Sequence, residues 1–208
     1  MADRISSFEG YHCLIVPGWQ GSGDDHWQTH WQSRLPHTSR TRVGSWQEPE
    51  LDDWIGALDR ASRRIDSPIL LVAHSLGCIT IAHWATRLAP SSSVAGALLV
   101  APADVERGSV SRPLASFAPI PMHRLPFPSL VVGSTNDPAA RLERIQHFAN
   151  AWHSACHIIQ GAGHINAASG HHRWEDGLRL LNCLGSTPDA EPSILNNENI
   201  EKPPVAIR

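Results

Sequence analysis

Short apolar runs alternate with helix-like stretches along nearly the whole chain, and this alternation most constrains what the chain can become. Apolar, strand-like runs fall at residues 12–16, 69–73, 94–100, 130–134 and 156–159, with a weaker one at 40–43. Helical patterns fall between them, at 25–35, 51–65, 76–88, 139–152 and 172–184. Strands that are apolar throughout belong to a sheet buried on both faces, and parallel strands need long crossovers between them. About six strands alternating with helices therefore predict an α/β fold of three layers, with a mostly parallel sheet between helices.

Local signals sharpen the elements. Asp24 is a candidate cap for the first helix and Pro36 its stop. Trp27, Trp31 and Leu35 stand four apart and so share one helical face. Leu51, Trp54, Ile55, Leu58, Ala61 and Ile65 follow the 3.6-residue period. Ala89-Pro90 closes the third helix. Residues 102–128 hold six of the chain's 16 prolines and little periodicity, which predicts a long surface excursion with one short helix. Residues 186–208 are polar and non-periodic, so a single domain is expected over 1–185, with a flexible tail after it.

Composition excludes several classes. The chain has 208 residues, 17 basic against 20 acidic, and a net charge of −3. No basic excess exists to neutralise nucleic-acid phosphates, so no nucleic-acid partner is expected. No apolar run reaches the ~18 residues of a membrane span, so no membrane association is expected either. The first ten residues carry Asp3, Arg4 and Glu9 and do not read as a secretory signal. Cys13, Cys78, Cys156 and Cys183 are widely separated, which fits buried thiols in a cytoplasmic protein.

The chemistry concentrates where strands end, because ligands in such sheets sit beyond the strands' carboxyl ends. After the strand at 69–73 comes His74-Ser75-Leu76-Gly77, then a helix. Small-x-Ser-x-Gly between strand and helix is the nucleophile-elbow pattern. Its sharp turn needs small residues two places either side of the serine, here Ala73 and Gly77, and presents the hydroxyl at the sheet edge. A plain N-cap role for Ser75 is the alternative. Cys78, one turn into the helix, reads as a packed thiol, and His74 as a supporting residue.

A serine hydroxyl needs a base to take its proton, and the base needs an orienting group. Asp137 follows the strand at 130–134, and His164 follows the strand at 156–159 across Gly161 and Gly163. The order serine, acid, histidine is that of elbow hydrolases. Asp104, also just beyond a strand, is the rival acid. His164, His171 and His172 match no common zinc spacing, so no metal and no cofactor are expected.

The loop Pro17-Gly18-Trp19-Gln20-Gly21-Ser22-Gly23 follows the first strand. Its glycines run G-x-x-G-x-G, which is not a dinucleotide or P-loop fingerprint. It is better suited to stabilising an oxyanion, with the amide of Trp19 as one donor and that of Leu76 as the other. Trp27 and Trp31 are expected in the core rather than in a pocket.

With Ile15-Val16-Pro17-Gly18-Trp19, Asp25-His26-Trp27, Val72 to Gly77, Leu99 to Pro102, Asn136-Asp137-Pro138, Gly163 to Asn166 and Ser169-Gly170 in hand, the chain resembles the small serine hydrolases of the retinoblastoma-binding protein 9 and YdeN type. The resemblance spans residues 11 to about 185. It implies an α/β-hydrolase fold without a large cap domain, a triad of Ser75, Asp137 and His164, and no metal. Ala73 in place of the first elbow glycine is normal for that family. The expected reaction is hydrolysis of small carboxylic esters, or of amides and aminoacyl derivatives, through an acyl-enzyme. Acyl transfer to an alcohol, and protein binding on a retained hydrolase fold, remain open on the sequence.

Overall fold

A computed structural model describes residues 8, 10–88, 94–108 and 110–185. Six parallel strands form one sheet: β1 (His12–Val16), β2 (Thr38–Arg40), β3 (Ile69–His74), β4 (Val94–Val100), β5 (Ser129–Ser134) and β6 (Ala155–Ile159). Their order across the sheet is β2-β1-β3-β4-β5-β6. Five helices cover it: α1 (Trp27–Arg34), α2 (Leu51–Ser62), α3 (Leu76–Arg87), α4 (Leu142–Trp152) and α5 (Glu175–Gly185). The fold is the expected parallel α/β architecture, and no large cap domain is evident. No helix among the described residues is long and apolar enough to cross a membrane.

The two faces of the sheet carry separate cores. One packs α2, α3, α4 and the 102–128 excursion through Trp54, Leu58, Ile79, Trp84, Phe148 and Trp152. The other packs α1 and α5 through Trp27, Trp31, Leu35, Trp174 and Leu181. Trp31 stacks on Trp174 at 5.7 Å, and Trp27 meets both rings edge-on or tilted. The spacing of four residues in α1 produces this cluster, since it puts both indoles on one face. Burying each large side chain contributes roughly 1.5–3 kcal/mol. Cys13 and Cys78 are buried thiols, Cys156 is half-buried and Cys183 lies at the surface.

Several boundaries differ from the sequence reading. α1 starts at Trp27, and its cap is His26 rather than Asp24: the ring Nδ1 accepts from Gln28 N at 3.2 Å. β2 lies at Thr38–Arg40, earlier than 40–43, because its register is set by pairing with Cys13, Leu14 and Ile15. α2 ends at Ser62 and α4 begins only at Leu142. Asp137 holds the segment before α4 in a turn, accepting from Ala139 N at 2.7 Å. α5 begins at Glu175 rather than at residue 172. The 102–128 excursion contains one short 3₁₀ helix, Arg112–Phe117, and it is more buried than a surface loop: Leu114, Phe117, Ile120, Leu125 and Phe127 all join the core. The Ala89-Pro90 closure and the tail at 186–208 lie outside the described residues.

The sheet order reverses between β1 and β3. From β1 the chain steps outward to β2, then returns to continue on β1's other side. In open α/β sheets such a switch point, beyond the carboxyl ends of β1 and β3, is where the ligand crevice forms.

Candidate active site

Ser75 stands at that crevice, between β3 and α3, with φ 53° and ψ −118°. A non-glycine residue in such a conformation stores about 1–3 kcal/mol of strain and needs its surroundings to hold it. They do. Its N–H donates to Val100 O at 2.9 Å, and its C=O accepts from Cys78 N at 3.1 Å. The smallness of Gly77 has a different cause from the one expected. A Cβ there would lie 2.2 Å from Val16 O and 2.7 Å from Pro17 O, so it is the end of β1 that presses on the helix.

Asp137 and His164 arrive on loops from β5 and β6. His164 Nε2 lies 2.9 Å from Ser75 Oγ. Its Nδ1 lies 2.9 and 3.0 Å from the two carboxylate oxygens of Asp137. The carboxylate can only accept, so Nδ1 carries the proton of the neutral ring and Nε2 is left to accept from the serine hydroxyl. The Asp137 side chain is fully shielded from solvent. Asp104, the rival acid, turns elsewhere: its Oδ1 accepts from Glu106 N and lies 3.4 Å from Arg144 Nε.

The loop after β1 closes the other side. Gly18 packs so tightly on the elbow that a Cβ would fall 2.8 Å from Ser75 Cβ and 3.4 Å from Leu76 N. Among the described residues, the amides of Leu76 and Trp19 make no turn or cap hydrogen bond. Leu76 N opens α3, where amide groups have no partner within the helix. Trp19 is partly exposed, with its indole N–H donating to Gln47 O at 2.9 Å. Trp27 and Trp31 are wholly buried, as the sequence suggested.

Asn136, Thr135, Trp27 and His74, the last already read from the sequence as a supporting residue, hold this arrangement together. Asn136 Oδ1 accepts from Gly163 N at 2.7 Å, and Thr135 Oγ1 accepts from Gly161 N at 3.0 Å, so the acid's loop fastens the base's loop. His74 does more than turn aside. Its Nε2 donates to the backbone carbonyl of His164 at 2.9 Å, and its ring lies 4.8 Å from the His164 ring. Trp27 Nε1 donates to Ile165 O at 2.8 Å. The adjacent Asn136-Asp137 pair and the His74-Ser75 pair were visible signals, but nothing local shows across which loop each would reach.

Burial keeps two further histidines neutral. His74 sits well below the ordinary histidine range, chiefly because burial penalises its charge and secondarily because His164 and His26 are near. His26 is lowered to about 4 by burial, with smaller contributions from Arg40 and His164. Its Nδ1 is engaged as the α1 cap, and its buried Nε2 has no partner. The unfolded chain protonates His26 below about 6.5, whereas the folded chain resists until about 4. Stability is therefore full above pH 6.5 and falls progressively between 6.5 and 4. For His26 alone the loss is roughly 3 kcal/mol. Urea unfolding at pH 7, 6, 5 and 4 should show this decline, and His26→Gln should flatten it. A His26→Gln chain with an unchanged pH slope contradicts the assignment.

Among the described residues no group of three or more His, Cys, Asp or Glu side chains converges as a metal-holding cluster. His171 Nδ1 lies 3.2 Å from Ser169 Oγ, and His164 is engaged by Asp137 and Ser75.

A parallel sheet with a serine on the strained turn after its third strand defines a serine hydrolase of the α/β-hydrolase type. The family model described as serine hydrolase matches residues 13–183, and the chain belongs to that family. A YdeN-like hydrolase from Pectobacterium atrosepticum is 34% identical, with a TM-score of 0.78, covering 88% of this chain and 96% of its own. The ydeN gene product of B. subtilis is 20% identical, with a TM-score of 0.70 over 85% of this chain and all of its own. An esterase from Thermogutta terrifontis shares the fold at 15% identity, with a TM-score of 0.59, covering 83% of this chain and 88% of its own. A search of curated proteins found no match.

Proposed function

We propose that this serine hydrolase cleaves small carboxylic esters through an acyl-enzyme, with Ser75 as nucleophile, His164 as general base and Asp137 as the group that orients it. One observation carries the reading: a single imidazole touches the serine hydroxyl through Nε2 and a shielded carboxylate through Nδ1. Ser75 Oγ attacks the ester carbonyl carbon while its proton passes to His164 Nε2. The carbonyl oxygen becomes an oxyanion, held by the amides of Leu76 and Trp19. The C–O bond to the leaving alcohol then breaks, and the alcohol takes the proton from Nε2. Water enters, gives a proton to the same nitrogen and attacks the acyl carbon. The bond from that carbon to Ser75 Oγ then breaks, Oγ takes the proton back from Nε2, and carboxylic acid and free serine result. Asp137 accepts from Nδ1 throughout and stabilises the imidazolium that forms in each half. The esterase activity named for the Thermogutta terrifontis relative supports the ester class as the first to test.

A fluorophosphonate probe tests the assignment directly. It should form one adduct, located on Ser75 by peptide mass spectrometry. Absence of an adduct, or one on another serine, overturns the reading. Asp137→Asn should lower kcat for p-nitrophenyl acetate on the order of 10⁴-fold, because an amide no longer fixes the productive tautomer. A loss smaller than tenfold would mean that another group orients the ring.

A further inference from the structure

The outer edge of the sheet carries a concentration of positive charge that the proposed reaction does not use. A groove of about 1260 Å³ runs along β2 between α1 and α2, and Arg40, Arg42, Arg60 and Arg64 line it. Among the described residues, Asp24 is the only acidic side chain on the wall. This occurs in a chain whose net charge is −3. Among the described residues, none of the four arginines forms an ion pair with a carboxylate.

Arg40 makes the imbalance costly. Its guanidinium is half-buried and donates only to neutral acceptors, Ser22 O at 3.0 Å and Thr29 Oγ1 at 2.8 Å. A third donor, Nε, is buried with no partner. A guanidinium stays charged even when burial lowers its pKa, as it does here. Withdrawing such a charge from water without a counter-charge is unfavourable, and an anion in the groove would offset it. The exposed ends of Arg42, Arg60 and Arg64 are free to supply forked donors to the same anion.

We propose that this groove binds a small organic molecule carrying two or more phosphate groups. Several arginines on one wall match several charges, and guanidinium forks fit phosphate oxygens bidentately. The hydroxyls of Ser39 and Thr41 add neutral partners along the wall, while those of Ser22 and Thr38 are already donated to Gln28 Oε1 and to the carbonyls of Leu35 and Pro36. Val43, Trp46 and Ile65 give an apolar stretch for the organic part. The groove far exceeds the size of one phosphate. The charges come from side chains of β2, α2 and the residues just after each, not from a glycine-rich phosphate loop.

Two sources share this chemistry. The phosphates belong either to the leaving alcohol or thiol of the substrate, or to a separate phosphorylated metabolite. The groove reaches Gln20 and Gly21, one and two residues beyond Trp19 and on the same loop as Gly18 against Ser75. The first source rests on the proposed hydrolysis; the binding itself does not.

Isothermal titration of the full chain with inorganic pyrophosphate and with ADP, at low ionic strength, tests it. Both should bind, more weakly as salt rises. A triple variant, Arg42→Ser, Arg60→Ser and Arg64→Ser, should bind at least about tenfold more weakly with an unchanged melting temperature. Arg179→Ser, at a surface ion pair with Asp176, should bind as the wild type does. No binding to the wild type, or equal binding by the triple variant, overturns the proposal. Two acetate esters, of an alcohol with and without a diphosphate group, separate the sources. If the leaving group is the ligand, the triple variant raises KM about tenfold or more for the phosphorylated ester only and leaves kcat unchanged. If KM is unaffected while pyrophosphate binding is lost, the ligand is a separate metabolite. Failure of the wild type to hydrolyse either ester counts against the reaction and leaves the titration to decide the groove.

Discussion

Ser75→Ala should lower kcat for p-nitrophenyl acetate by roughly 10⁴-fold or more, leaving at most the slow turnover that the amides and the pocket provide. The loss is chemical rather than structural. The methyl occupies the place of the serine Cβ, and the backbone bonds to Val100 O and from Cys78 N do not involve the hydroxyl. Ser75→Gly adds a sharper test. Glycine adopts φ 53° without the strain a side chain suffers there, so this variant should be equally inactive yet more stable by about 1 kcal/mol. Stopped assays and urea titrations on the two variants measure both halves. Activity within tenfold of wild type in either would remove Ser75 from the chemistry.

Gly77→Ala should be severely damaging. Its Cβ would meet the carbonyl oxygens of Val16 and Pro17 at 2.2 and 2.7 Å. Both are backbone atoms, and β1 is locked between β2 and β3 by its ladders. Neither side can yield cheaply, so the cost should exceed the ~1–3 kcal/mol usual for overpacking among side chains. Relief would require α3 to move off the sheet, which would carry Ser75 away from His164. Reduced soluble yield, a melting temperature lower by about 6 °C or more, and lost probe labelling should appear together. A variant that folds with native stability would mean that the helix start adapts more freely than the packing indicates. Gly23→Ala is the control, since a Cβ there meets nothing.

The fold was legible because the middle of every central strand is apolar, and a run such as Ile69 to Ala73 has few other places to go. The edge strand was not. Thr38, Ser39 and Arg40 carry no apolar pattern, and only hydrogen bonding to β1 makes them a strand. The cap of α1 was misplaced for a similar reason. Asp24 has the better intrinsic preference, but the Trp27–Trp31 packing fixes where the helix begins and leaves His26 to cap it. The three residues of the candidate site were readable from what they follow, a strand in each case. Their supports were not. The contacts of Asn136 with Gly163, His74 with His164 and Trp27 with Ile165 span 27, 90 and 138 residues. Such contacts exist only once the sheet has ordered the loops. The arginine groove was hidden likewise, since its charges come from β2, α2 and the segments after each, and overall the chain is acidic.

The mooring of the base's loop has an architectural meaning. β6 is an edge strand and only half-buried, a poor foundation for a group that must meet its target within a few tenths of an ångström. Two buried donors, His74 and Trp27, seize the peptide carbonyls of residues 164 and 165 and anchor them to the centre of the molecule. The rim strand is thus asked to deliver chain and not rigidity. The placement of the imidazole is set from the side of the nucleophile.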